Sequence, residues 1–266
     1  MVWKLRADEV GITPVLGAAL VLGAITITLS AFLVVWIPGE ANRREREHMS
    51  TVEGSFQELR AKIESLEVGE SKGVHIKMGP EPVPFVSSPR TGGTLSVLPS
   101  AGENYGIIKF SLGDQSWIYE SGMLILVQDN VNLMGSASRV VTVREVGDKL
   151  EVHFNIIRVR GLESSVSGTG TSTVTVSIYR ENLLENMVFK ENVVIQIENT
   201  NYKRAWGDYL REKYEEFYEE GYHPYGSVTE ITENNLQLTI LGKDNTSGVN
   251  DIIFYKKVTE VWVSIS

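Results

Sequence analysis

The sequence predicts an α+β protein in which a long N-terminal helix, membrane segment plus stalk, precedes a large antiparallel β-sandwich-like head with one inserted amphipathic helix. Three observations predict it. Residues 12–37 contain no charged side chain. Residues 49–66 carry apolar side chains at helical spacing on an otherwise polar segment. From residue 71 onward the pattern changes to period two, rich in Val, Ile, Thr and aromatics and broken by Gly, Ser, Asn and Asp.

The apolar run is long enough, at about 1.5 Å per residue, to cross a hydrocarbon core of roughly 30 Å. Its hydroxyls, Thr13, Thr26, Thr28 and Ser30, can bond within their own helix. A secretory signal has an apolar region of about 7–15 residues, so this run is too long for one, although Gly39-Glu40-Ala41 imitates a cleavage site. Charge does not decide its orientation, because Lys4 and Arg6 on one side balance Arg43, Arg44 and Arg46 on the other. Ala19 and Gly23, joined by Gly17, allow close helix packing in a membrane or a filament core, and equally suit any membrane helix. Pro38-Gly39 is expected to kink or break the helix. The expected divisions are therefore 12–37 for the span, 38–69 for a charged stalk helix and 70–266 for a β-rich head.

The residues Val10-Gly11-Ile12-Thr13-Pro14-Val15-Leu16-Gly17 resemble the start of archaeal type IV pilins. There a short charged leader ends in a small residue before a hydrophobic-Ser-Pro-Val-Ile-Gly opening and a continuous apolar helix. Thr13 stands for the serine and Leu16 for the isoleucine. Bacterial pilins carry a glutamate where Leu16 lies, which sets this chain apart from them. The resemblance implies that residues 1–11 are a class III signal peptide, cut by a prepilin peptidase between Gly11 and Ile12. It also implies membrane lipid and other pilin-like subunits, in a homo- or hetero-filament, as partners. The expected location is the archaeal cell membrane with the head outside, or an extracellular filament. Pro14 in a first helical turn fits such a start, since its missing N–H would have had no partner there.

Downstream, Met49, Val52, Phe56, Leu59, Ile63 and Leu66 form a seam of period 3.5. The seam is short for a coiled coil, and Val52, Phe56, Leu59 and Ile63 are expected to pack on the head's own sheet, with Gly69 ending the helix. Expected strands are 74–78, 94–98, 105–112, 122–128, 138–144, 149–159, 171–179, 187–198, 227–232, 235–241 and 251–265. Residues 79–89, with Pro80, Pro82, Pro84 and Pro89, read as an extended connector. Residues 202–222 read as an amphipathic helix with Trp206, Leu210, Tyr214 and Phe217 on one side and acidic residues elsewhere.

A formal net charge of -9 without a basic stripe opposes nucleic-acid binding. The absence of cysteine removes disulfides, thiolate metal sites and cysteine nucleophiles. His48, His75, His153 and His223 stand singly, with no metal-ligand spacing and no nucleophile elbow, so no catalytic residue, cofactor or metal is expected. The acidic face of the 202–222 helix reads as a solvated face before a metal site, and its Trp206, Tyr209, Tyr218 and Tyr222 as packing before a sugar platform. Asn245-Thr246-Ser247 is an N-glycosylation sequon. The expected function is a structural or adhesive pilin-like subunit whose surface ligand is not encoded in any motif. The alternative is a non-polymerising, single-pass membrane-anchored receptor or adhesin, and an anchored hydrolase comes third.

N-terminal sequencing of the membrane-extracted protein is expected to start at Ile12. A Gly11→Arg variant should retain the eleven residues that precede Ile12. An unaltered chain that still begins at Met1 excludes the cut.

Overall fold

The computed structural model describes residues 12–82, 92–102, 104–129, 131–147, 149–189, 193–198, 200–219, 226–232, 235–240 and 251–266. Two helices and fourteen strands are assigned among them. They are α1 (Ile12–Glu64), β1 (Ser71–Lys77), β2 (Gly93–Leu98), β3 (Ile107–Leu112), β4 (Gln115–Glu120), β5 (Met123–Gln128), β6 (Val131–Ala137) and β7 (Val141–Val146). There follow β8 (Lys149–Gly161), β9 (Ser164–Gly168), β10 (Thr171–Phe189), β11 (Val193–Ile197), α2 (Lys203–Glu219), β12 (Gly226–Thr232), β13 (Asn235–Ile240) and β14 (Asp251–Ile265). The chain divides into two compact units, one of residues 1–47 with 81–88 and one of residues 48–80 with 89–266.

In the first unit α1 passes through Pro38 without ending, so of the kink or break expected at 38–39 the break does not occur. A proline removes one backbone bond, but the turns after it are reinforced by Glu40, which pairs with Arg43 at 2.7 Å and Arg44 at 2.8 Å, while Arg43 also reaches Glu47 at 2.6 Å. The helix then ends at Glu64 rather than at Gly69. Leu66 N–H donates to the Ile63 carbonyl, tightening the last turn, and Gly69 at φ +92° supplies the left-handed turn into β1.

The second unit is the head. Its strands form a five-stranded sheet I in the order β1-β10-β14-β8-β7, a six-stranded sheet II in the order β6-β5-β4-β3-β2-β9 and a three-stranded sheet III in the order β11-β13-β12. All pairs are antiparallel except β14 with β8, whose parallel register runs from Asp251 beside Lys149 to Val263 beside Gly161. Period-two patterning does not distinguish parallel from antiparallel neighbours. Three strands lie outside the expected ones: β4, β6 and the serine-rich edge β9. Residues 187–198 were expected as one strand but split between the end of β10 and β11.

Sheet II is covered on both sides. Trp117, Tyr119 and Leu124 face a core shared with Val52, Phe56, Leu59 and Ile63 of α1, the inner residues of β1 and β2, and Val261 and Val263 of β14. Ile118, Met123 and Ile125 face a second core with Leu150 and Val152 of β8, Ile195 of β11, Leu238 of β13 and Trp206 of α2. The seam on α1 is thus a wall of the head: Val52, Phe56 and Leu59 are fully buried, and Ile63 is 2% exposed. Trp117 Nε1 donates to the Met49 carbonyl at 3.1 Å and Arg60 to Ser136 Oγ at 2.8 Å, which sets the helix's position along the sheet. Each fully buried seam side chain contributes about 1.5–3 kcal/mol.

Phe56→Ala, which opens a cavity in this core, is expected to lower head stability by about 3–5 kcal/mol. Gln57→Ala, one residue along on the exposed side, should change it by less than about 0.5 kcal/mol. Denaturant unfolding of the two variants checks this, and equal midpoints would show that the seam does not hold the head.

Candidate functional site

Three regions carry side chains that packing alone does not explain. The first is the apolar half of α1. Ile12 opens the helix, while Gly11 lies outside the described residues. From Pro14 to Trp36 the side chains are exposed apart from half-exposed Gly23, and Val35 reaches 77%. A Cβ added at Gly17 or Gly23 meets nothing within 4 Å, so these small positions, with Ala19, leave the helix surface open to another helix. Thr26 and Thr28 donate to the carbonyls of Leu22 and Ala24 at 2.8 Å, which removes their hydroxyls from competition with an apolar surrounding. Phe32 stacks on Trp36, and the charged turns begin directly after them. There the guanidinium groups of Arg43 and Arg44 hold the Glu40 carboxyl at about 2, well below the carboxylate range. Arg44 also donates to the Pro82 carbonyl at 2.8 Å. Aromatic rings followed by cations suit the boundary between hydrocarbon and water.

The second region is the open face of sheet I. Register places Thr142 of β7, His153 of β8 and Tyr255 of β14 in one row. The His153 and Tyr255 rings stack at 4.4 Å with a 4° interplanar angle. One row along, Arg144 grips Glu151 at 2.6 Å and lowers the pKa of its carboxyl. In the other direction come Asn155 and Lys257, the latter ion-paired with Glu181. Two cavities open on this face. One of about 620 Å³ touches the end of α1 through Arg60, Ile63 and Leu66, the other of about 460 Å³ runs along β7, and Arg139 and Asn155 line both. Arg139 has no ion-pair partner among the described residues. Such a face provides flat rings, hydrogen bonds and an unpaired cation, which are the means of binding.

The third region is buried. The β4–β5 turn uses Ser121 at φ +47° and Gly122 at φ +86°, the left-handed pair that a two-residue hairpin requires. It places Glu120, 4% exposed, where Thr200 Oγ1 donates to its Oε2 at 3.0 Å and Trp206 Nε1 at 3.2 Å. Tyr105 stacks on Trp206 at 5.7 Å. Burial raises Glu120 to about 7, against which the two hydrogen bonds act, and burial with the nearby Glu120 raises Tyr202 to about 12. Trp206 and Tyr209, considered as a sugar platform, are core residues instead, 0% and 1% exposed. Their rings belong to the apolar side of α2. The side chains of Phe217 and Tyr218, and all of Tyr222, lie outside the described residues.

The remaining sequence candidates stay apart. His48 is buried against Phe110 at 5.8 Å, and His75 Nδ1 meets Thr173 Oγ1 at 3.0 Å as a cross-strand pair. His223 and Asn245 lie outside the described residues. No group of three metal-ligating side chains occurs among the described residues. Glu120 went unnoticed in the sequence because β4 did. Its signal was a carboxylate two positions beyond Ile118, hence on the same inward face of a strand.

Glu120 makes stability depend on pH. A carboxyl with a raised pKa keeps its proton in the folded state where the unfolded chain has lost it. Its contribution is therefore whole below the ordinary 4.5 and declines as pH rises through about 7, by up to about 3 kcal/mol. His48, whose pKa burial lowers, acts on the acid side and is common to both proteins compared. Glu120→Gln is expected to gain on the wild type in urea unfolding between pH 5 and pH 8. A difference that stays constant with pH would rule this out.

No curated protein and no solved structure matches the chain. A family of unknown function, DUF7289, matches residues 11–240, which takes in the apolar helix together with most of the head. The chain belongs to the family DUF7289.

Proposed function

We propose that the protein is a pilin-like structural or adhesive subunit of an archaeal cell-surface filament, held by the apolar half of α1 in a membrane before assembly and in a helical core after it. The observation that carries this reading is α1 itself. A helix of 53 residues has a first half without a charge and with its apolar side chains exposed, and a last part whose seam is built into the head. The head contains the end of the helix, so Val52, Phe56, Leu59 and Ile63 cannot be cut away from it without exposing a core.

Two further features support the reading. Gly17, Ala19 and Gly23 leave room for close helix approach. The family match spans the apolar segment as well as the head, so the two are shared as a pair. The opening Ile12-Thr13-Pro14-Val15-Leu16-Gly17 supplies the resemblance to archaeal pilins and, with it, prepilin peptidase as the processing partner.

Replacing both Ala19 and Gly23 by leucine keeps the span apolar while adding bulk at the helix contact. The double variant is expected to insert in membranes at the wild-type level and to disappear from sheared surface filaments. Wild-type protein confined to the membrane would favour the solitary receptor or adhesin. Unchanged filament yield of the variant would refute the helix contact.

A further inference from the structure

The outer edge of β7 is an open hydrogen-bonding edge inside a cavity. Among the described residues β7 ends sheet I and pairs with β8 alone. In an antiparallel ladder, alternate residues turn both backbone groups toward the partner strand and toward the free side. Asn155 N–H donates to the Val140 carbonyl at 2.7 Å, so the opposed pairs Thr142–His153 and Arg144–Glu151 are the hydrogen-bonded ones that follow. Val141, Val143 and Glu145 consequently turn their N–H and C=O groups away from the sheet. The Val141 N–H agrees with this phase, because it donates outward to the Tyr209 hydroxyl at 2.9 Å. Neither Val143 nor Glu145 has a backbone partner on that side among the described residues.

Residues 141–144 all line the cavity of about 460 Å³, together with Glu216 of α2. Side chains alternate along a strand, so four consecutive residues share one cavity where it runs along the backbone. Arg139, two residues before β7, lines the same cavity without an ion-pair partner among the described residues.

We propose that this edge docks the carboxyl-terminal segment of a partner polypeptide, which adds to sheet I as an antiparallel strand outside β7 and places its terminal carboxylate on Arg139. A row of outward donors and acceptors at strand spacing is complementary to another extended backbone. Antiparallel addition brings the incoming carboxyl end to the start of β7, where Arg139 lies. The Tyr209 hydroxyl already occupies the edge at Val141, so the added strand ends there instead of running past. Residues 251–266 are not the occupant, since β14 lies inside sheet I and Ser266 exchanges both backbone bonds with Thr173 at 2.8 and 3.0 Å. The inference holds for a filament subunit and for a solitary anchor alike.

The test uses the full chain in lipid nanodiscs and a library of displayed eight-residue peptides with free carboxyl termini. Enriched peptides should alternate apolar and polar residues and slow hydrogen exchange at the Val143 and Glu145 amides about tenfold or more. Val143→Pro, which removes an outward N–H that the sheet does not use, should abolish binding. Glu145→Pro serves the same purpose if the first variant fails to fold. Amidation of the peptide terminus or Arg139→Ala should each weaken binding about tenfold or more. No enrichment, equal binding to both folded proline variants, or protection at a different edge would overturn the proposal. Undiminished binding of the amidated peptide would overturn its carboxylate part.

Discussion

One helix has to satisfy two surroundings, and the rest of the molecule is arranged around that constraint. Over residues 12–37 it is apolar on every side, which suits contact with hydrocarbon or with other helices. Over residues 49–63 it is apolar on one face, which the head covers. Between them Glu40, Arg43, Arg44 and Glu47 pair along the helix, so that the transition consists of charges satisfied by their own neighbours. Pro38 falls at this transition and is tolerated within the helix because long turns on each side hold it.

The head responds to the helix by burying sheet II twice. Because α1 occupies one face of β4 and β5, the opposite face requires its own cover, and α2 with sheet III belongs to that second core. Glu120 is the polar member of the second core, held by Thr200 before α2 and Trp206 within it. A buried carboxylate with two donors is a costly fastener, and its cost is least when it carries a proton. The contact of Glu120 with Thr200 and Trp206 therefore responds to pH where an apolar contact would not.

Leaving sheet I partly open is the third consequence. Its long strands β8 and β14 present one face to the second core, whereas the opposite face enters the first core only toward their C-terminal ends. The remainder exposes the Thr142, His153 and Tyr255 row and the edge of β7. These residues lie far apart in the chain, and only the parallel register of β8 with β14 brings His153 beside Tyr255.

The apolar segment, the seam of Val52, Phe56, Leu59 and Ile63, the amphipathic α2 and the β-rich class of the head are legible in the residues alone, because hydrophobic periodicity reports which face of a local element avoids water. The residues alone are silent on β4, whose residues are buried on both faces and so show no alternation, and on β9, whose serines resemble a loop. Asp251–Ile265 was legible as a strand, yet its parallel neighbour was not, since pairing depends on which distant strand shares a core. The burial of Glu120, the ring on which His153 stacks and the outward backbone groups of β7 emerge in three dimensions alone. Each of these arises from contacts between segments remote in the chain, and such contacts leave no period in the sequence to read.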